Sequence, residues 1–290
     1  MQKKVAVFGE MLWDCLPSGA VPGGASMNVA LNLHQLGIDA LLISAVGADE
    51  DGEKLLEFIK SFDLASPSVQ VKKNYKTSRV LVDDSDKENM KYNIVSPVAW
   101  DFIQWDEITD RKVLQSDALI FGTLGVRNHF SLETLLGYLK HPVLRVFDSN
   151  LRPPNYDFEV IEKLLGFTDI LKINEDELEV FAHYFQTKPT VDGLCGYLDQ
   201  HFPIELICVT LGAKGALIYN KGNVITHPGF KVKLQDSIGA GDAFLSGFVK
   251  SYLDKKPLTE TLELACKVGS FVASQKGGAP RYSEKSIFNL

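Results

Sequence analysis

Asp236-Ser237-Ile238-Gly239-Ala240-Gly241-Asp242 runs directly into Ala243-Phe244-Leu245-Ser246-Gly247-Phe248. The apolar positions after it predict a helix over Ala240–Leu253. Gly239 and Gly241 let the backbone approach a ligand closely and adopt turn conformations. Free N–H groups and the positive end of the dipole gather where a helix starts. The segment is therefore an anion site by construction. Asp242 is odd in that place, because a carboxylate repels a phosphate unless it has a task. One reading makes Asp242 a general base that takes a proton from an attacking hydroxyl. The other makes it a helix-start residue favoured by the dipole. The segment alone leaves both open.

Outward from this segment the chain alternates. Val5–Gly9 is a short β-branched and aromatic run ended by glycine, which predicts a buried strand. Gly24–Leu36 reads as a helix stopped by Gly37. Ala40–Val46 reads as strand and Asp51–Lys60 as helix. From Ala118 the predicted strands are Ala118–Phe121, Val143–Phe147, Ile170–Ile173, Leu206–Val209 and Ala216–Tyr219. The helices are Leu132–Lys140, Phe158–Leu165, Glu175–Phe185, Gly193–His201 and Thr259–Gln275. Such alternation predicts βαβ units and a mostly parallel sheet covered on both faces. Ligands in such folds sit at the carboxyl ends of the strands. Between Val69 and Ile94 the pattern breaks. Arg79–Val82 and Lys91–Val95 are short β-type pieces around a polar tip, Asp83–Asn89, and predict an antiparallel insertion or small sheet.

The chain has 290 residues, 30 Lys+Arg against 37 Asp+Glu, and a formal net charge of −7. That balance argues against nucleic acid as a partner, which wants a basic surface. It says little about a small anion, which needs only a local positive field. Cys15, Cys195, Cys208 and Cys266 form no C-x-x-C pair and read as thiols of a reducing compartment. No stretch approaches the ~20 apolar residues of a membrane span. The N-terminal apolar run is too short for a signal-peptide core. A cytoplasmic protein without a membrane partner is expected.

Common phosphate motifs are missing. There is no G-x-x-x-x-G-K-[ST] loop, and Gly9 followed by Glu10 breaks the dinucleotide G-x-G-x-x-G pattern. Asp236–Asp242 instead resembles the D-T-x-G-A-G-D signature of the ribokinase-like (PfkB) carbohydrate kinases, with Ser237 in place of the usual Thr. Gly23-Gly24-Ala25-Ser26-Met27-Asn28-Val29-Ala30 is similar to the G-G-x-x-x-N-x-A helix start of that family. Val46-Gly47-x-Asp49-x-x-Gly52, Asn174-x-x-Glu177 and Thr210-Leu211-Gly212-Ala213-Lys214-Gly215 match further motifs in family order. The resemblance spans Gly9 to about Pro280. It implies an α/β fold: a three-layer α/β/α ribokinase-like core with a mostly parallel sheet, plus a small β lid. The core is expected in residues 1–11, 21–68 and 96–290, and the lid in 12–20 and 69–95.

The resemblance further implies transfer of the γ-phosphoryl group of ATP to a sugar hydroxyl. Asp242 would accept the hydroxyl proton. Amides of Gly239, Ala240 and Gly241 would hold charge on the transferred group. Asn174 and Glu177 would organise Mg²⁺ through water, although the N-x-x-E spacing alone favours helix capping. Thr210, Gly212, Gly215 and Gly277 would line the nucleotide side, although glycines at 212 and 215 also suit a plain turn. K⁺ is an optional further ion, bound by carbonyls near Asp236, Ile238 and Gly277. Arg281 sits where the family commonly has a small polar residue, and Cys266 where many members carry Asn.

The resemblance places the sugar side at Asp14, Gly24, Asn28 and Arg152, and carboxylates and amides do pair with vicinal hydroxyls. Asn32, one turn after Asn28, reads as a plain polar helix position. Asp148-Ser149-Asn150-Leu151-Arg152-Pro153 looks like the D-x-N-x-R-P stretch of fructokinases and 2-keto-3-deoxygluconate kinases. A structural salt bridge is the competing reading of Arg152. Gly9-Glu10-Met11-Leu12-Trp13-Asp14 is most like bacterial fructokinases, so D-fructose is the expected substrate and fructose 6-phosphate the product. The alternative is 2-keto-3-deoxygluconate, which would need an added cation such as Arg79 or Arg152. A different class is a non-catalytic sugar-binding regulator. Lid strands expose edges, so a homodimer through the lid is expected.

Overall fold

A computed structural model describes residues 2–16, 19–83 and 91–288. In chain order the elements are β1 (Lys4–Phe8), β2 (Leu12–Leu16), β3 (Gly19–Gly23), α1 (Ala25–Gln35), β4 (Asp39–Gly47), α2 (Glu50–Ser61), β5 (Val69–Lys72), β6 (Ser78–Asp83) and β7 (Lys91–Ile94). Then come α3 (Glu107–Leu114), β8 (Ala118–Gly122), α4 (His129–Tyr138), β9 (Leu144–Asp148), α5 (Phe158–Leu165), β10 (Ile170–Asn174), α6 (Glu175–Tyr184) and α7 (Gly196–His201). The chain closes with β11 (Leu206–Thr210), β12 (Ala216–Asn220), β13 (Asn223–His227), α8 (Ala240–Leu253), α9 (Leu258–Ala273) and α10 (Glu284–Phe288).

The large sheet has the order β13-β12-β11-β10-β9-β8-β1-β4-β5. It is parallel from β11 to β5 and turns antiparallel only at β12 and β13. Alternation along β1 shows why both faces are covered. Val5 and Val7 belong to the apolar cluster that includes α1, α8 and α9, while Ala6 and Phe8 belong to the cluster of the other face, which includes α4, α5 and α6. A strand buried on both sides has to be apolar throughout, and Val5–Phe8 is. The expected three-layer α/β/α core is therefore present.

The small sheet has the order β3-β2-β6-β7. Its division from the core differs from the expected one at two places. Val69–Lys72, assigned by sequence to the lid, pairs in parallel with β4 as the edge of the large sheet. The β4–α2–β5 run is an ordinary crossover, and the chain leaves the core only after β5. Val21–Gly23, assigned to the core, completes the β2–β3 hairpin, where Leu12 pairs with Gly23. Within the insertion β6 and β7 pair antiparallel as expected, and β6 joins β2 in parallel. The polar tip expected at Asp83–Asn89 lies outside the described residues after Asp83, as do Pro17 and Ser18. Three further elements, α3, β13 and α10, have no counterpart in the sequence reading.

The return from the small sheet is fixed by one buried cation. Arg127 makes a two-bond ion pair with Asp101, at 2.8 and 3.0 Å. It also donates to the carbonyls of Ile94 and Val95 and to Asn155 Oδ1. Its guanidinium lies 4.2 Å from the ring centre of Trp100. The side chains of Arg127 and Asp101 are only 7% and 1% exposed. Breaking one half of such a pair strands the other charge. Arg127→Met is expected to lower unfolding stability by about 3–5 kcal/mol, read by urea denaturation. A loss below about 1 kcal/mol would show that water meets the Asp101 carboxylate instead.

Candidate active site

The carboxyl ends of β1, β9, β10 and β11 meet the starts of α1 and α8 at one place. Gly239 precedes α8 in the left-handed region, with φ of 73°. A Cβ there would lie 2.3 Å from Gly278 Cα, so only glycine lets the two loops touch. Gly278 in turn leaves no room for a side chain against Asn28, whose Nδ2 would be 2.5 Å from an added Cβ. Asn28 Nδ2 donates to Asp242 Oδ2 at 2.9 Å. Asp242 is buried in the first turn of α8. Asn32 is fully buried, donates to the carbonyls of Asn28 and Gly278, and accepts from the Tyr282 hydroxyl. It is therefore a strut of the site, not the plain polar position that its spacing implied.

Burial pushes the Asp242 carboxyl up to about 6, and the Asp148 carboxylate adds to the rise. The Asn28 amide, Lys172 and Arg152 oppose it. Lys172 is buried inside β10 and donates to Asp148 Oδ1 at 2.8 Å. Burial works against its charge, yet Asp148, Glu177 and Asp242 outweigh it and hold the ammonium above its ordinary range. Glu10, at the end of β1, accepts from the Ala25 N–H at 2.9 Å and from the Ser26 hydroxyl. Burial pushes its carboxyl up to about 7, with the charge of Asp242 adding to the rise and Arg152 opposing it. A cavity lined by Glu10, Ser26, Thr123, Asp148 and Asn150 opens beside these groups.

Asp14 comes from the small sheet. Its Oδ2 lies 2.1 Å from where a Cβ on Gly23 would be, so a side chain at 23 would displace the carboxylate. Burial raises the Asp14 carboxyl, Arg152 opposes the rise and Asp236 adds to it. Arg152 is exposed, and among the described residues it makes no ion pair within 4 Å. Its field nevertheless reaches Glu10, Asp14 and Asp242. The competing reading of Arg152 as a structural salt bridge is therefore not what the described residues show. Arg79, by contrast, is taken by Asp51 through two bonds of 2.7 and 2.8 Å. Gly24 starts α1 with φ of 106°, and a Cβ there would press on the Glu10 carbonyl at 2.7 Å.

Asn174 and Glu177 form a capping box at the start of α6. Asn174 Oδ1 accepts from the Glu177 N–H and Glu177 Oε2 from the Asn174 N–H, both at 2.8 Å. Glu177 Oε1 also accepts from the Leu151 N–H at 2.6 Å, which ties the loop carrying Arg152 to α6. Thr210 ends β11 as the register partner of Asn174. Gly215 is glycine for packing, since a Cβ there would meet the His227 carbonyl at 2.0 Å. Gly212 and Gly277 have φ of 56° and 80° and open space around them. Asp236 accepts from the N–H groups of Ile238 and Gly277, joining the start of the signature to the late loop. Arg281 donates to the Ser61 carbonyl and lies over the Phe62 ring. Its charge is committed at the end of α2. Cys266 is buried in the core of α8 and α9.

Among the described residues, no helix is long and apolar enough to cross a membrane. Sequence reasoning missed Glu10 and Lys172 as site residues. The available signal was a charge inside an apolar strand, Ile170-Leu171-Lys172-Ile173.

The pfkB family carbohydrate kinase pattern matches residues 18–285. The chain belongs to that family of carbohydrate kinases, phosphotransferases that act on a sugar hydroxyl. It is 28% identical to a probable fructokinase-5 of Arabidopsis thaliana, with 95% of this chain and 93% of that protein covered. The fold is similar to the fructokinase of Xylella fastidiosa with bound ATP, with a TM-score of 0.86, 20% identity, and coverage of 100% of this chain and 98% of that one. It is also similar to a fructokinase double mutant of Vibrio cholerae O395 with fructose, ADP and potassium bound, with a TM-score of 0.85, 23% identity, and coverage of 99% and 98%.

The buried carboxylate has a consequence for stability. Its folded-state value of about 6 lies above the ordinary 3.8, so the folded chain holds this proton more tightly than the unfolded chain. Ionised Asp242 thus costs the fold on the order of 2–3 kcal/mol above about pH 6, and the cost fades as pH falls towards about 4. Asp242→Asn is expected to melt higher than the parent at about pH 8, with the gap closing near pH 4. A variant that melts lower at the alkaline end would contradict the buried-charge account.

Proposed function

We propose that the protein transfers the γ-phosphoryl group of ATP to D-fructose, giving ADP and fructose 6-phosphate. The observation that carries this reading is the Asp242 carboxylate, buried at a helix start beside three backbone amides. Asp242 takes the proton of the attacking sugar hydroxyl. A value near 6 leaves it ionised at neutral pH and still basic enough to act. Asn28 fixes the carboxylate and also fills the position of a sugar contact. The amides of Gly239, Ala240 and Gly241 bind the charge that develops on the transferred group. Asp14 and Gly24 face the sugar from the lid side. Arg152 supplies the positive field that brings an anion to a cluster of carboxylates.

The nucleotide is assigned to the side lined by Thr210, Gly212, Gly215 and Gly277. The open space at Gly212 and Gly277 supports this. No group of three His, Cys, Asp or Glu side chains able to hold a metal occurs among the described residues. A divalent ion would here be held through phosphate and water. Asn174 and Glu177 are the residues assigned to those waters. Mg²⁺, when bound, neutralises charge on the ATP phosphates. K⁺ is assigned to carbonyls near Asp236, Ile238 and Gly277, supported by the hydrogen bonds that hold these loops together and by potassium in the Vibrio cholerae structure. The lid is assigned to the small sheet, and the setting to the cytoplasm, where ATP is available.

Fructose is preferred over 2-keto-3-deoxygluconate because the relatives and structures named above are fructokinases; of the two cations an acid could use, Arg79 is committed to Asp51 and Arg152 alone remains. The test is ADP release across fructose, ribose, 2-keto-3-deoxygluconate and nucleosides, with and without K⁺. Fructose is expected to give the highest kcat/KM. Asp242→Asn should cut kcat by about 10²–10⁴-fold while sugar binding persists, and Asp14→Ala should raise the KM for sugar more than that for ATP. No turnover on any sugar would favour a non-catalytic sugar-binding regulator.

A homodimer through the lid completes the proposal. Among the described residues, β3 and β7 are the edges of the small sheet, and such edges are liable to pair with a second chain. Light scattering at assay concentration should give the mass of two chains. A single-chain mass would remove the proposal.

A further inference from the structure

Lys172 stands between residues that are wholly buried, Leu171 and Ile173. An ammonium in that position has to be met by an opposite charge. Asp148 meets it from the adjacent strand, where it is the register partner of Lys172. For packing alone, an apolar pair of the same volume would serve the core as well or better. The surroundings point to a use for the charge. A Cβ placed on Gly241 would lie 3.5 Å from Lys172 Nζ, so the ammonium sits against the backbone of the glycine segment. The carboxylates of Glu177 and Asp242 both act on it.

We propose that Lys172 is a positioning residue for phosphoryl transfer: its buried ammonium, fixed by Asp148 and lying against Gly241, keeps Asp242 ionised and holds positive potential beneath the glycine segment. The proposal rests on the reading of Asp242 as the general base. Asp242 is faced by Glu10 from the end of β1, Asp148 from β9, Arg152 from the loop after it and Lys172 from β10. From α1 it is faced by the neutral amide of Asn28. Glu10 and Asp148 oppose ionisation, whereas Lys172 and Arg152 favour it. Removing the ammonium therefore tilts Asp242 towards its protonated form. Neutralising Asp148 does the reverse, because it deletes an opposing charge and frees the ammonium from its competing partner. A residue that only packs would change stability and leave the titration of Asp242 where it was.

The experiment compares the parent with Lys172→Met, Lys172→Arg and Asp148→Asn. Two readouts are taken on the full chain: the pH profile of kcat/KM with fructose and ATP, and a ¹³C-carboxyl NMR titration of Asp242. The NMR signal is assigned by its loss in Asp242→Asn and requires no turnover. Lys172→Met should raise the midpoint by about one pH unit or more, a tenfold change in proton affinity. Asp148→Asn should lower it, and Lys172→Arg should leave it near the parent value. Midpoints that coincide in the parent, Lys172→Met and Asp148→Asn overturn the proposal even if kcat falls. If Lys172→Met does not fold, Lys172→Gln decides, and a midpoint at or below that of the parent overturns it. Midpoints that shift as expected in a chain that phosphorylates no sugar would uphold the link between Lys172 and Asp242 and sink the kinase reading instead.

Discussion

Asn28 and Asp242 are 214 positions apart and joined by one buried hydrogen bond. The bond holds the first turn of α8 against α1 and aims a carboxylate that the fold would otherwise expel. Everything near it is constrained by that placement. The Gly239 backbone must take a left-handed turn to bring the amides round, and Gly278 must lack a side chain to let Asn28 pass. Asn32 then secures Gly278 from behind. Ser246, one turn into α8, donates to the Asp242 carbonyl and lies within reach of the Val29 carbonyl.

The parallel sheet supplies the second constraint. Its strands end at a common edge, so residues from β1, β9, β10 and β11 converge without any of them being close in sequence. Charges brought together this way are expensive unless they are matched. Asp242, Asp148, Glu10 and Glu177 are matched by Lys172, by Arg152 and by backbone N–H groups. The site is thus a cluster in which two cations and backbone N–H groups offset part of the carboxylate charge, rather than a lone acid. The small sheet contributes one further carboxylate, Asp14, from a hairpin paired to β6, and the return path of that sheet to the core is pinned by Arg127.

Much of this was legible in the sequence. The alternation of apolar runs with helical periods located β1, β4, α1, α2 and most of the later elements. The glycine segment at 239–241 announced a helix start, and the family resemblance supplied an order for the motifs. Three kinds of feature were not legible. Val69–Lys72 has the composition of an insertion strand, and only pairing with β4 decides that it belongs to the large sheet. Asn32 differs from a surface asparagine through its spatial neighbours, and Tyr282 and Gly278 come from the far end of the chain. Lys172 and Asp148 are a cross-strand pair, and register between parallel strands is set by tertiary packing rather than by local spacing.

Glu177 shows why a structural and a functional assignment need not compete. The N-x-x-E spacing predicted a capping box, and the box is present, with a further bond from the Leu151 N–H. A carboxylate has about four acceptor positions on its two oxygens. Bonds from the Asn174 and Leu151 N–H groups, one to each oxygen, fix its direction and leave capacity for water. A side chain that had to hold water at a fixed place, in a buried setting, would be of little use if it could rotate. The cap removes that rotation. It also links α6 to the loop that carries Arg152, so the residue assigned to the metal waters and the residue assigned to the anion field share one anchor. The spacing that looked like mere helix chemistry is then the means by which the site is kept rigid.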